Sequence, residues 1–223
     1  MGFWSSLGSA ISSVCRGVCS ALGAVGRFAI NALTLPSRIA LTAMGTVFSF
    51  VGRWLNKPKE ETAEELGEKA MLSDKKPDNF DSINDYINHL RNDIQVDKEK
   101  MANLSEQEKM ERQAIGTSIY VKQIEENFGT RLPIDFFETV GKLKMDSSEM
   151  KTYIDSFKKN GINDMGKMSA HLKGTLSAEE AEKVDKAIKD GKREEAQNQG
   201  IPKSPEQINS EVLDMQRAVQ SIE

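Results

Sequence analysis

The chain has 223 residues, of which 29% are charged and 6% aromatic, and a net charge of −4. That total hides an asymmetry: all 34 acidic residues lie in residues 60–223 with 24 of the 30 basic ones, whereas Arg16, Arg27, Arg38, Arg53, Lys57 and Lys59 precede the first acid, Glu60. An acidic second part and four widely spaced arginines in the first disfavour nucleic acid as a partner, and Cys15 and Cys19 are too few for a disulfide-stapled fold or a cysteine-based zinc site.

The first predicted element spans residues 1–56. Ser5, Ser9, Ser12, Arg16, Ser20, Gly23, Arg27, Asn31, Thr34, Arg38, Thr42, Gly45, Ser49, Arg53 and Asn56 recur in steps of four and three. Such a repeat of about 3.67 residues per turn is helical. The thread is narrow and the rest of the circumference apolar, the reverse of an ordinary water-soluble surface helix. The spacing therefore predicts a long Gly/Ser/Ala-rich amphipathic helix that works in or on a membrane. Pro36 could turn it into a hairpin, but the phase of the thread passes from Thr34 to Arg38 undisturbed and favours a continuous helix with a kink.

On this reading the polar stripe is Arg16, Ser20, Arg27, Asn31, Thr34, Arg38, Thr42 and Arg53. The lipid contacts are Phe3, Trp4, Val18, Leu22, Phe28, Ile30, Leu33, Ile39, Phe48, Phe50 and Trp54. Ser9, Ser13, Gly17 and Ala21 form a small-residue ridge suited to helix packing and a homo-oligomer. The basic charge favours an anionic bilayer. No basic residue precedes the apolar run and Arg16 and Arg27 interrupt it, so no cleavable signal peptide is expected; membrane association would follow a soluble state.

The remainder reads as helices punctuated by caps and glycines. Residues 57–80 are expected to be a linker with a short charged helix from Glu60 to Leu72. A helical domain follows over residues 81–189, beginning with a helix from Asp81 whose apolar face includes Ile83, Tyr86, Ile87, Leu90, Ile94 and Met101. Ser105 with Glu108 is a capping box for the next helix, which closes at Gly129. Pro133, Asp146, Asn163 and Ser177 start further helices, with stops at Gly161 and Gly174. Ile83 to about Phe157 carries most of the expected core. Residues 190–223 are expected to be a flexible link, Asp190 to Ser204, and a last helix opened by Ser204, Pro205 and Gln207. No strand is predicted, so the fold class is all-α, a long N-terminal helix followed by an elongated bundle of shorter ones.

Catalytic chemistry is not found in this pattern. His89 and His171 sit on charged helices with no nucleophile or metal partner near in sequence, and adjacent acids such as Glu125 and Glu126 point to different helical sides. No catalytic or metal residue, cofactor or enzymatic activity is expected. The expected function is membrane association or insertion, oligomeric and pore-forming, with the acidic helical half binding a protein partner. The layout is similar to that of phage ejection proteins, bacterial translocators or effectors and pore-forming toxins, although no family motif carries the likeness. A structural or adaptor protein of a virion or secretion assembly, or a monotopic anchor, is the alternative.

Overall fold

The computed structural model describes residues 11–55 and 57–221. Among them the secondary structure is all-α, without a strand and with one isolated backbone pairing, Arg131 with Asp164. The chain divides into two compact units, Met1–Asn127 and Phe128–Glu223.

The expected single N-terminal helix is three: α1 (Ser13–Ala21), α2 (Gly23–Thr34) and α3 (Ser37–Trp54). The first break falls at Gly23, whose φ of +58° is a left-handed conformation open to glycine. It turns α2 back onto α1, where a Cβ on Gly26 would stand 1.8 Å from the Cys19 carbonyl oxygen. The second break is at Leu35, extended at φ −71° and ψ 154°, the conformation that a following proline imposes. The continuous helix is thus overturned, as is a hairpin with Pro36 as its only turn. A straight helix over these residues would be roughly 60 Å long, about twice the diameter of a small domain, so folding back is what lets its apolar side be covered by protein.

That cover comes from the first unit itself. Leu22, Val25, Ala29, Ala32, Ile39, Ala43, Met44, Val47, Phe50 and Val51 are all buried. The unit continues with α4 (Ala63–Leu72), a 3-10 turn at Pro77–Asn79, α5 (Ile83–Asp93), α6 (Lys98–Ala102) and α7 (Glu106–Phe128). Met110 to Arg112 and Ala114 to Val121 are buried on every side of α7, which makes it the axis of the unit rather than a surface helix. Helix α4 crosses it at backbone contact: a Cβ on Gly67 would lie 2.0 Å from Arg112 O, and one on Gly116 1.9 Å from Ala63 O. The helix expected from Asp81 to Met101 is in fact α5 and α6, separated by an extended Ile94.

The expected boundaries near 57 and 81 are therefore not where the chain divides. Helices α1, α2 and α3 share a unit with α4, α5 and α7, because a helix with so wide an apolar arc needs neighbours on most of its circumference.

The second unit holds α8 (Ile134–Leu143), α9 (Ser147–Lys159), α10 (Gly166–Lys173), α11 (Ala178–Asn198) and α12 (Pro205–Gln220). Phe136, Val140, Ile154, Phe157, Met168, Leu172, Ile188 and Val212 fill its core. The link expected over Asp190 to Ser204 is largely helix. Helix α11 runs on to Asn198 because Gly191 lets the Tyr153 ring approach and Ala196 is buried, while Ser156 donates to the Ala187 carbonyl at 2.7 Å.

Candidate functional site

The polar thread survives the two breaks. Arg16 and Ser20 on α1, Arg27, Asn31 and Thr34 on α2, and Arg38 and Arg53 on α3 are exposed, and Thr42 is half-buried. The arginines after residue 60 are each paired with a carboxylate: Arg91 with Glu61, Arg112 with Glu68, Arg131 with Asp164, Arg193 with Asp190 and Arg217 with Asp214. Arg16, Arg27 and Arg38 have no such partner among the described residues. The difference follows from composition, since no acid lies near them in sequence.

The expected lipid contacts are divided. Leu22, Ile39 and Phe50 are buried in the unit's own core, and Val18, Phe28, Ile30, Leu33 and Phe48 are half-covered. Trp54 is exposed beneath the Arg53 guanidinium, 5.2 Å from its ring centroid. Of the small-residue ridge, Ser13, Gly17 and Ala21 face outward, and among the described residues a Cβ on Gly17 would meet no atom within 4 Å. Phe3, Trp4 and Ser9 lie outside the described residues.

A groove of about 480 Å³ opens between α3, α4 and α7, lined by Leu41, Met44, Gly45 and Phe48 on one side and by Thr62, Ala63, Glu64, Gln113 and Thr117 on the other. Its α3 wall has the i, i+3, i+4, i+7 spacing of one helical face. The Thr117 hydroxyl is buried without a hydrogen-bond partner among the described residues. At the Phe48 end, the Lys57 ammonium lies 4.2 Å from the Phe48 ring centroid and donates to the Glu61 carbonyl.

Two buried acids tie this region to α7. The Glu111 carboxylate accepts the Ser12 backbone N–H and the Ser12 hydroxyl, each at 2.8 Å, and Ser12 caps α1 by accepting from Cys15 N–H. Glu61 takes a two-pronged donation from Arg91 and a third hydrogen bond from the Tyr120 hydroxyl. Burial alone would push the Glu61 carboxyl up, but the Arg91 and Tyr120 hydrogen bonds outweigh it and hold it below the usual carboxylate range.

The structure brings together one constellation that lay hidden in sequence. His89 is not isolated: Ser73 Oγ stands 3.1 Å from its Nε2, and its Nδ1 donates to Asp93 Oδ2 at 2.7 Å. The serine is 2% exposed and its oxygen also accepts the Lys75 N–H, so the three groups clasp the end of α4 onto α5 with the hydroxyl shut off from solvent. Asp93 at i+4 from His89 was the sequence signal; Ser73, sixteen positions away on another element, had none. Burial pushes the His171 imidazole below its ordinary value, with Asp185 at 3.6 Å pulling the other way.

Cys15 and Cys19 are fully buried with sulfurs 3.7 Å apart. Among the described residues no group of three or more His, Cys, Asp and Glu side chains is placed to hold a metal. No helix among them is long and apolar enough to cross a membrane. Comparisons with protein-family models, curated proteins and solved structures return no match.

Proposed function

We propose that the protein associates with anionic membrane surfaces through the outward side of α1, α2 and α3, with the apolar faces of these helices held in its own core until it docks. The observation that carries this reading is the set of exposed arginines Arg16, Arg27 and Arg38, which have no ion-pair partner among the described residues and lie on a segment free of acids. Each arginine brought to an anionic headgroup layer contributes roughly 1 kcal/mol. Exposed Val14, Leu41 and Trp54 on the same helices supply apolar and interfacial contacts.

Insertion, oligomeric assembly and a pore lined by the thread are the further steps of the same proposal. They need α1–α3 to leave the core, because Leu22, Ile39 and Phe50 are covered by protein. The test is co-sedimentation and dye release with anionic and neutral vesicles, comparing the wild type with the Arg27→Glu/Arg38→Glu variant. Both residues are exposed, so the variant keeps its fold. Binding restricted to anionic vesicles and lost in the variant is the expected result, and dye release separates insertion from surface docking. Equal binding to neutral vesicles would overturn the arginine-mediated reading, and binding to neither would discard membrane association in favour of a protein-assembly adaptor.

A further inference from the structure

Cys15 and Cys19 are the only two cysteines of the chain, and the fold puts them in contact: both are 0% exposed and their sulfurs stand 3.7 Å apart, one thiol donating to the other. They lie four residues apart within α1, where Cβ atoms so spaced are about 5–6 Å from one another. A disulfide brings its Cβ atoms to about 3.5–4.5 Å. The bond therefore does not close on an intact α1, and the backbone between the two cysteines must first leave helical geometry.

That backbone is held at both ends. The Cys19 carbonyl is seated against Gly26 of α2, with no room between them even for a methyl group. The turn before Cys15 is capped by Ser12, itself bound by the Glu111 carboxylate. A distortion between Cys15 and Cys19 pulls on both attachments. Helix α1 can open all the same, since it has nine residues, a glycine in its middle and Ser13, Gly17 and Ala21 turned outward.

We propose that Cys15 and Cys19 form a redox switch, in which a peroxide converts the thiol pair to a disulfide and the disulfide releases α1 from Gly26 and Glu111. In the open state one sulfur attacks a peroxide oxygen: an S–O bond forms, the O–O bond breaks, and the thiol's proton leaves with the departing oxygen as water. The second sulfur then attacks the resulting sulfenic acid, forming the S–S bond and breaking the S–O bond, and its proton leaves in a second water. Each sulfur gives up one electron and the peroxide takes two. A bond that forms in the open state and not in the closed one shifts the balance to open. The switch concerns what α1 packs against and does not depend on membrane binding.

Hydrogen peroxide treatment of the full chain, read by intact mass, non-reducing gel and amide hydrogen exchange, tests this without lipid. Each chain should lose two hydrogens and stay a monomer on the gel. Amides of α1 should exchange at least about tenfold faster, returning to the starting rate with dithiothreitol. Cys15→Ala/Cys19→Ala should show no such response. Thiols that survive peroxide in the folded chain yet are consumed in urea overturn the proposal. So do a disulfide that leaves α1 exchange unchanged, conversion to sulfinic acid or dimer in place of the internal bond, or an equal response in the double variant.

Discussion

The carboxylate of Glu111 accepts two hydrogen bonds from Ser12, a residue 99 positions earlier in the chain. This one acid, 3% exposed on the central helix, fixes the N-terminal end of α1. Replacing Glu111 with alanine leaves the Ser12 N–H and hydroxyl without that acceptor, a loss of about 1–3 kcal/mol. The consequence is local, because α1 frays before the rest of the unit opens. Cys15 and Cys19 report it directly: their reaction with a thiol reagent should accelerate at least about tenfold in Glu111→Ala, with far-UV circular dichroism little changed. An unaltered labelling rate would show that α1 is held by packing alone.

Glu68 and Arg112 form a buried ion pair at 2.5 Å, with Arg112 also donating to the Glu108 carbonyl. Removing one partner strands a charge in the core, so Arg112→Met should lower stability by about 3–5 kcal/mol. The joint change Glu68→Met/Arg112→Met should recover most of that loss, since two apolar side chains of similar bulk need no counterion. Urea unfolding of the four species measures the coupling, and additive losses would contradict it.

Glycine separates the contacts that set helix spacing from those that do not. Gly67→Ala and Gly116→Ala each place a methyl within 2.0 Å of a backbone oxygen on the opposing helix. Each should cost about 3 kcal/mol or more, since backbone must move to relieve the overlap. Gly17→Ala, which meets nothing within 4 Å, should raise stability by up to about 1 kcal/mol through helix propensity. Thermal unfolding midpoints of the three variants should move in these opposite directions.

His171 gives the second unit a pH dependence. Its folded-state pKa lies below the ordinary 6.5, burial outweighing the pull of Asp185 and Lys189 adding to the downward shift. The unfolded chain therefore binds the proton more readily, and stability rises with pH through this window. The contribution is present above pH 6.5 and is lost as the pH falls through the lower, folded value. Denaturant midpoints recorded between pH 7.5 and 5 should decline, about these ordinary histidine limits, and His171→Gln should flatten the decline. An identical slope in the variant would assign it to the carboxylates instead.

The helix termini were legible because their signals are local. Asp146 with Glu149 and Ser204 with Gln207 form reciprocal caps as their spacing predicts, and Gly129 and Gly174 close α7 and α10 with positive φ. The thread likewise gave the outward faces of α1, α2 and α3. Periodicity could not say what covers the inward faces, because an amphipathic pattern records that a side avoids water and is silent on whether lipid or protein replaces it. Gly23 was one glycine among several, and its left-handed turn shows only once Gly26 meets Cys19. The clasp of Ser73 on His89 and the groove at Thr117 arise from elements distant in sequence, where spacing carries no information.

The two breaks leave the thread in phase, with Arg16, Arg27 and Arg38 outward on three separate helices. Residues written for one rod serve equally well when the rod is cut in three. The chain has thus specified orientation more strictly than length: the breaks at Gly23 and Leu35 give Leu22, Ile39 and Phe50 protein for company while the arginines keep their outward view.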